Sequence, residues 1–294
     1  EVSPWRESGR RRSGRNVLQE NATVQFDRPV GPGLAILAAG IALVLAPAPA
    51  NAAKVTECTK IGVCYCVNDE LKPVIAAKVD RFRALIADQR KAGKAVGYLS
   101  VPLSSAGGGH FDINAEVAAS AKEAIEKRFG ADYIYVVNPG TLDADLPKGT
   151  GADYMLMWTT LLEGPDGIGD FDFVYFAGPG DFAHFFKFDG TGDMGKLDAF
   201  YDQRLKTDPK FEKAVAGGLT KPAFRRYYAL RASASVSRGA HDEWNIFRVL
   251  NERRRADGKL GAPNQIPVLF DGREVPPSEH EGSVSDGYIG KCAP

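Results

Sequence analysis

Apolar residues recur along the chain with two alternating periods, and the alternation predicts the fold class. Residues Lys60–Val67 read as a short strand. Glu70–Ala92 places Val74, Ile75, Val79, Phe82, Leu85 and Ile86 at helical spacing, and Gly93 closes that helix. Ala95–Val101 (AVGYLSV) then reads as a strand, followed by a polar Ser104–Gly109 loop. Asn114–Phe129 reads as a helix, with Asn114 or Asp112 as its cap and Gly130 as its stop. Tyr133–Val137 is a strand ending in Asn138-Pro139-Gly140, and Ala152–Leu162 a helix. Phe171–Phe176 is a strand ending in Gly178-Pro179-Gly180-Asp181. Arg226–Val236 is strand-like, with Tyr228, Leu230, Ala232 and Ala234 on one face. Ala240–Arg255 is a helix and Ile266–Phe270 a last short strand.

Strands separated by helices imply right-handed crossovers and a mostly parallel sheet. The expected fold is therefore α/β: a Rossmann-like or flavodoxin-like, mostly parallel five-stranded sheet. Residues 53–294 read as a single α/β domain. The segment 177–225 is longer than a crossover needs and carries Phe182, Phe185, Phe186 and Phe188, so it reads as a cap or lid insertion. Those Phe residues and Tyr227-Tyr228 read as core rather than as a stacking platform.

The N-terminal stretch has a different character. Residues 1–33 are rich in Arg, Gly and Ser without an apolar period, and read as disordered or as an over-extended start. Leu34–Ala46 is an uninterrupted apolar run, preceded by Arg28 and followed by Ala48-Pro49-Ala50 and Ala50-Asn51-Ala52. A basic flank, a short apolar core and an Ala-x-Ala site make up a signal peptide. The run is shorter than the ~20 residues that span a bilayer. Cleavage after Ala52 and a secreted or periplasmic location are expected; a buried core helix or an uncleaved anchor is the alternative.

Charge adds little. The chain has 37 basic and 37 acidic residues; six Arg and four acids lie before Ala53, leaving the remainder near −2. That gives no electrostatic reason to expect nucleic acid or an anionic membrane as partner. The four cysteines, Cys58, Cys64, Cys66 and Cys292, are an even set in an exported chain and suggest two disulfides. Cys58 would join Cys64 or Cys66, and Cys292 the other. A thiolate metal site is the rival reading, since Cys-x-Cys suits soft metals. No His completes a tetrahedral set nearby. No cofactor is implied, and no metal-binding motif stands out. His110, His184, His241 and His280 are scattered and read as surface or capping residues, although His110 and His241 lie where either could face a pocket. Arg253–Arg255 reads as a solvated helix end.

In open α/β sheets ligands sit outside the carboxyl ends of the strands. Ser104, Ser105 and Gly107–Gly109, Asn138-Pro139, Gly178 with Asp181, and the run from Ser237 to Glu243 should converge there. Ser237 and Gly239 would lie at a strand-to-helix turn whose free N–H groups suit anions or polar oxygens. Glu243 would sit in the first turn of the next helix. A carboxylate there acts as nucleophile or base, or is simply an acid favoured by the helix dipole.

Tyr98-Leu99-Ser100-x-Pro102, Asn138-Pro139, Asp153-Tyr154-Met155, Asp172-x-Val174-Tyr175 and Ser237-x-Gly239-Ala240-x-x-Glu243, in that order, resemble the nucleoside 2-deoxyribosyltransferase-like superfamily. The resemblance covers roughly residues 95–270. It implies N-glycosidase or deoxyribosyltransferase chemistry on a nucleoside-like small molecule, with Glu243 attacking the anomeric carbon. It further implies that Ser237, Gly239 and Ala240 line the sugar or phosphate, and that Tyr98, Ser100 and Asn138 border the pocket. This chain departs from the family in carrying Ser237 where Asp is typical, and in the long 177–225 segment. The other expectation is an exported, disulfide-tied binding or interaction protein without turnover.

Overall fold

The computed structural model describes residues 53–231, 237–257 and 264–293. The apolar run 34–46 and its expected cleavage site lie outside the described residues, which fall within one compact unit.

An antiparallel hairpin opens the described chain: β1 (Lys54–Cys58) pairs with β2 (Cys64–Asn68). The sequence pattern showed only the second of these strands. The two disulfides join Cys58 to Cys64, facing each other at the hairpin's closed end, and Cys66 to Cys292. This resolves the two pairings left open above and rules out a thiolate metal site. Disulfides of this kind point to an oxidising environment.

Helix α1 (Lys72–Lys91) follows, burying Ile75, Val79, Phe82 and Ile86 along one stripe. Next come β3 (Ala95–Ser100), α2 (Phe111–Phe129), β4 (Ile134–Val137), α3 (Gly151–Leu162) and β5 (Phe173–Phe176). Four helices follow β5: α4 (Pro179–Phe186), α5 (Asp193–Thr207), α6 (Pro209–Ala216) and α7 (Lys221–Arg226). Helix α8 (Arg238–Ala256), β6 (Val268–Phe270), β7 (Arg273–Val275) and the short α9 (Pro277–His280) complete the chain.

The main sheet has the order β4-β3-β5-β6-β7, parallel except for β7. Counting only its own strands, the order is 2-1-3-4-5, that of a flavodoxin-like doubly wound sheet. The reversal after β4 sends α2 to one face, and α3 and α8 to the other. Side chains alternate accordingly. Val96 and Tyr98 of β3 face the core formed with α1, α3, α8 and the hairpin. Leu99 and Val101 face the core formed with α2 and helices α4–α7. Gly97 sits where β3 must accept the Phe173 ring: a Cβ there would lie 2.1 Å from Phe173 Cζ.

Three expectations change. The strand expected over Arg226–Val236 is helical as far as the structure describes it: α7 ends at Arg226 and a π-helical turn covers Tyr227–Arg231. Residues 232–236 lie outside the described residues. Thr220 caps α7 through the Ala223 N–H and Pro222 preforms its first turn, so helix initiation overrides the alternating pattern. Tyr227 and Tyr228 are both buried, and they and the Phe cluster are core, as expected. The sheet still has five strands because β7 supplies the fifth. Second, α2 starts at Phe111 and its N-cap is His110, without a side-chain bond; Asn114 lies inside the helix, donating to Ser104 O and Tyr227 Oη. Third, Arg253 and Arg254 are not merely solvated: Arg254 donates to the carbonyls of Ile168, Gly169 and Asn264, and Arg253 to those of Lys60 and Gly167.

Among the described residues no helix is long and apolar enough to cross a membrane.

Candidate functional site

Three of the candidate residues come together. Helix α8 runs back over the sheet, so its first turn lies at the carboxyl edge. Residues one turn apart along it, Ala240, Glu243 and Phe247, face inward and are buried. Glu243 thereby meets β3. Tyr98 Oη donates to Glu243 Oε1 at 2.5 Å, and Ser100 Oγ donates to Oε2 at 2.5 Å. Tyr98 and Ser100 are two apart on one strand, so the pleat aims both at the same face. Glu243 is 5% exposed; Tyr98 and Ser100 are fully buried. The Tyr98 ring is wedged among Trp158, Phe171 and Phe247.

Burial pushes the Glu243 carboxyl up to about 7. The Ser100 and Tyr98 hydroxyls oppose that rise, and the neighbouring Asp242 charge adds to it. Burial and the Glu243 charge together hold the Tyr98 phenol well above its ordinary value, so it stays a donor.

The other candidates are engaged close by. Ser237 Oγ accepts the Ala240 N–H at 3.3 Å, capping α8 with its own side chain. Gly239 lies against α3: a Cβ there would be 3.4 Å from Met155 Sδ. Ala240 is buried. Asn138, buried at the end of β4, accepts the Gly140 N–H at 2.8 Å and so shapes its own turn; its bond is to that turn and not to Glu243.

The histidines correct one expectation. His280 is buried, 3% exposed, with its ring edge on Trp244 at 4.6 Å and Nε2 3.2 Å from Trp244 O; burial lowers it to about 4. His110 is buried against Phe211 but occupies the N-cap position of α2, so the capping half of the expectation holds for it. His241 Nδ1 lies 3.1 Å from Ser285 O and Oγ. Among the described residues no group of three or more His, Cys, Asp or Glu is placed to hold a metal.

Two features have no periodic signature in the sequence. Asp242, fully buried beside Glu243, accepts the N–H groups of Gly287 at 2.6 Å and Tyr288 at 2.7 Å. The C-terminal segment thus straps α8: Asn245 exchanges bonds with Val284, Arg238 donates to Gly287 O, and Tyr288 packs on Arg238. The strap continues to Cys292, which the disulfide fixes to β2. Second, a cleft of about 290 Å³ opens beside the N-terminal half of α8, with Phe176, Trp244 and Phe270 among its walls. Only the signal of aromatic residues at strand ends, Phe176 and Phe270, was available in the sequence.

No family model, no curated protein and no solved structure matches the chain. The functional reading therefore rests on the geometry and on the motif resemblance.

Proposed function

We propose that the protein is an exported enzyme of N-ribosyl chemistry, a nucleoside or nucleotide hydrolase or transferase, with Glu243 as nucleophile. The observation that carries the reading is the Glu243 carboxylate, gripped by Tyr98 and Ser100 at the carboxyl edge of the sheet and tuned to about 7. These are the residues that the resemblance to the nucleoside 2-deoxyribosyltransferase-like superfamily singles out.

The chemistry is a double displacement. An ionised Glu243 oxygen attacks the anomeric carbon and forms an ester. The glycosidic C–N bond breaks, and its electron pair leaves with the base, which takes up a proton from solvent. Water then cleaves the ester: its hydroxyl joins the anomeric carbon and its proton is released. A transferase replaces water with a second base. A carboxyl near 7 is partly ionised at neutral pH and easily returned to its protonated form. Two hydroxyl donors fix its rotamer, so the attacking oxygen needs no search. Helices α4–α7 are read as the lid of this site. In support, α7 approaches the loop after β3 so closely that a Cβ on Gly108 would lie 2.4 Å from Ala223 O.

The test is base release from nucleosides, nucleotides and NAD by the oxidised protein, compared with Glu243→Gln. Release abolished by the substitution supports the reading; no release, or equal release by the variant, overturns it.

A second reading, a non-catalytic binding protein on the same scaffold, is favoured by one observation. Both Glu243 oxygens are already hydrogen-bonded and the side chain is 5% exposed, as for a structural carboxylate.

A further inference from the structure

Residues 281–293 form no helix or strand, yet a series of bonds ties them to α8. Trp244 Nε1 donates to Gly282 O at 3.1 Å. Asn245 Nδ2 donates to Val284 O at 2.9 Å, and its Oδ1 accepts the Val284 N–H at 3.0 Å. Arg238 Nε donates to Gly287 O at 2.9 Å, and Asp242 accepts from Gly287 and Tyr288. The strap then crosses to the hairpin, where the Gly290 N–H donates to Cys64 O at 2.8 Å and the Cys292 N–H to Thr56 Oγ1 at 3.0 Å. Apolar burial adds little: most of these residues are exposed, and Tyr288 and Ile289 pack half-buried on the main core. A segment held by surface hydrogen bonds with few apolar contacts lies at the low end of local stability. Its covalent hold is the Cys66–Cys292 bridge.

The bridge lies on the outer face of the hairpin. Cys66 faces Thr56 across the ladder and Cys64 faces Cys58, so these four side chains share one face, while Tyr65 and Val67 point the other way into the core. Cys66 is half-buried, and Cys292 is half-buried between exposed Lys291 and Ala293. Neither belongs to the buried core, so opening the bridge does not require the core to open. Exposed bridges of this kind are the labile and regulatory ones. What the bridge guards is Asp242. Burial raises its carboxyl, and the N–H groups of Gly287, Tyr288 and Ile289, all on the strap, oppose that rise. With the strap gone, a buried charge stands without those donors, which is costly. Relief comes from protonation, from water entering, or from Asp242 turning outward, and each alters the start of α8 beside Glu243. Val284 is also a wall of the cleft beside α8, so that cleft widens as the strap leaves.

We propose that the Cys66–Cys292 bridge is a redox latch: its reduction by a dithiol frees residues 282–292 from α8 and loosens the start of that helix around Glu243. One thiolate of the dithiol attacks Cys292 Sγ. The bond to Cys66 breaks, and its electron pair leaves with the Cys66 sulfur, which takes up a proton. The second thiolate of the dithiol then attacks its own sulfur partner in the mixed disulfide and expels Cys292, which is protonated in turn. The dithiol loses two electrons and ends as a disulfide; the bridge gains two and ends as two thiols. The Cys58–Cys64 bridge, with a separation of 6, closes only the hairpin turn, so its reduction leaves the strap in place. The latch rests on the strap's geometry, and only its effect on turnover rests on the ribosyl reading of Glu243.

The experiment equilibrates the full chain with reduced and oxidised dithiothreitol in graded ratio, traps free thiols by alkylation, and reads amide hydrogen exchange by mass spectrometry. Cys66 and Cys292 are expected to become alkylated while β3 and β5 stay protected. The amides of Gly287, Tyr288 and the first half of α8 are expected to exchange roughly tenfold faster or more, as when one of two tethers is cut. Cys58→Ser with Cys64→Ser should behave as wild type. Cys66→Ser with Cys292→Ser should match the reduced chain without any dithiol; if that variant misfolds, reduced wild type decides the matter. Strap and α8 amides unmoved by reduction overturn the inference, as does labelling of Cys66 and Cys292 only when β3 and β5 also exchange. Base release with and without dithiothreitol separates the two claims. A strap that opens in a chain showing no base release in either redox state sinks the ribosyl reading and leaves the latch. Base release that needs Glu243, from a chain whose strap stays protected on reduction, sinks the latch and leaves the ribosyl reading.

Discussion

Replacing Glu243 by Gln should stabilise the protein above neutral pH. The carboxyl's ordinary value is 4.5, and in the folded chain it is about 7. The folded state therefore holds a proton that the unfolded state has lost between those values. Stability from this group is full below 4.5 and falls as pH rises through 7. At 1.36 kcal/mol per pH unit, the loss is about 3 kcal/mol. Gln keeps the shape of the protonated acid: its carbonyl accepts from one of the Tyr98 and Ser100 hydroxyls, and its amide donates to the oxygen of the other. Wild type and variant should match near pH 4.5. By pH 8.5 the variant should be more stable by about 3 kcal/mol, roughly 6–12 °C in Tm for a chain of this size. Calorimetry across pH 4.5–8.5 measures the difference, which cancels every other titrating group. Parallel curves, or a variant less stable at pH 8.5, would show that the two hydroxyls fully offset the burial of the charge.

His280 acts in the opposite direction. Its value is lowered in the folded state, so its contribution is present above 6.5 and lost as pH falls through about 4; an imidazole NMR titration with an ordinary midpoint would refute this. Gly97→Ala should lower the urea midpoint by an amount corresponding to roughly 1–3 kcal/mol or more, because the added methyl overlaps the Phe173 ring in a central strand. Breaking the Cys66–Cys292 bridge with paired serines should cost about 5 kcal/mol by loop-closure entropy, given its 226-residue separation, against about 2 for Cys58–Cys64 with a separation of 6. Equal losses in chemical denaturation of the two variants would contradict that ranking.

Long periodic elements were legible in the sequence; short edge elements were not. Helices α1, α2, α3 and α8 and the central strands β3 and β5 carry apolar patterns long enough to fix their type. β1 alternates between exposed and half-buried positions, and β7 is three residues long with one buried, so neither shows an apolar run. The segment after Thr220 carries two opposed signals: a cap and a proline start a helix locally, whereas the alternation of Tyr228 and Leu230 points to a strand. At the site, Glu243, Tyr98 and Ser100 could be named from spacing and resemblance, and the fold brings them into one hydrogen-bonded group. Asp242 could not be read the same way. Its partners lie 45 and 46 residues away, in a strap with no periodicity of its own.

The most direct test of the central claim is free base released from a nucleoside panel by wild type and Glu243→Gln at pH 7.5. The account predicts release by wild type, rising with pH through about 7, and none above background by the variant. Equal release, or no release by either, would contradict it and leave Glu243 as a buried structural acid.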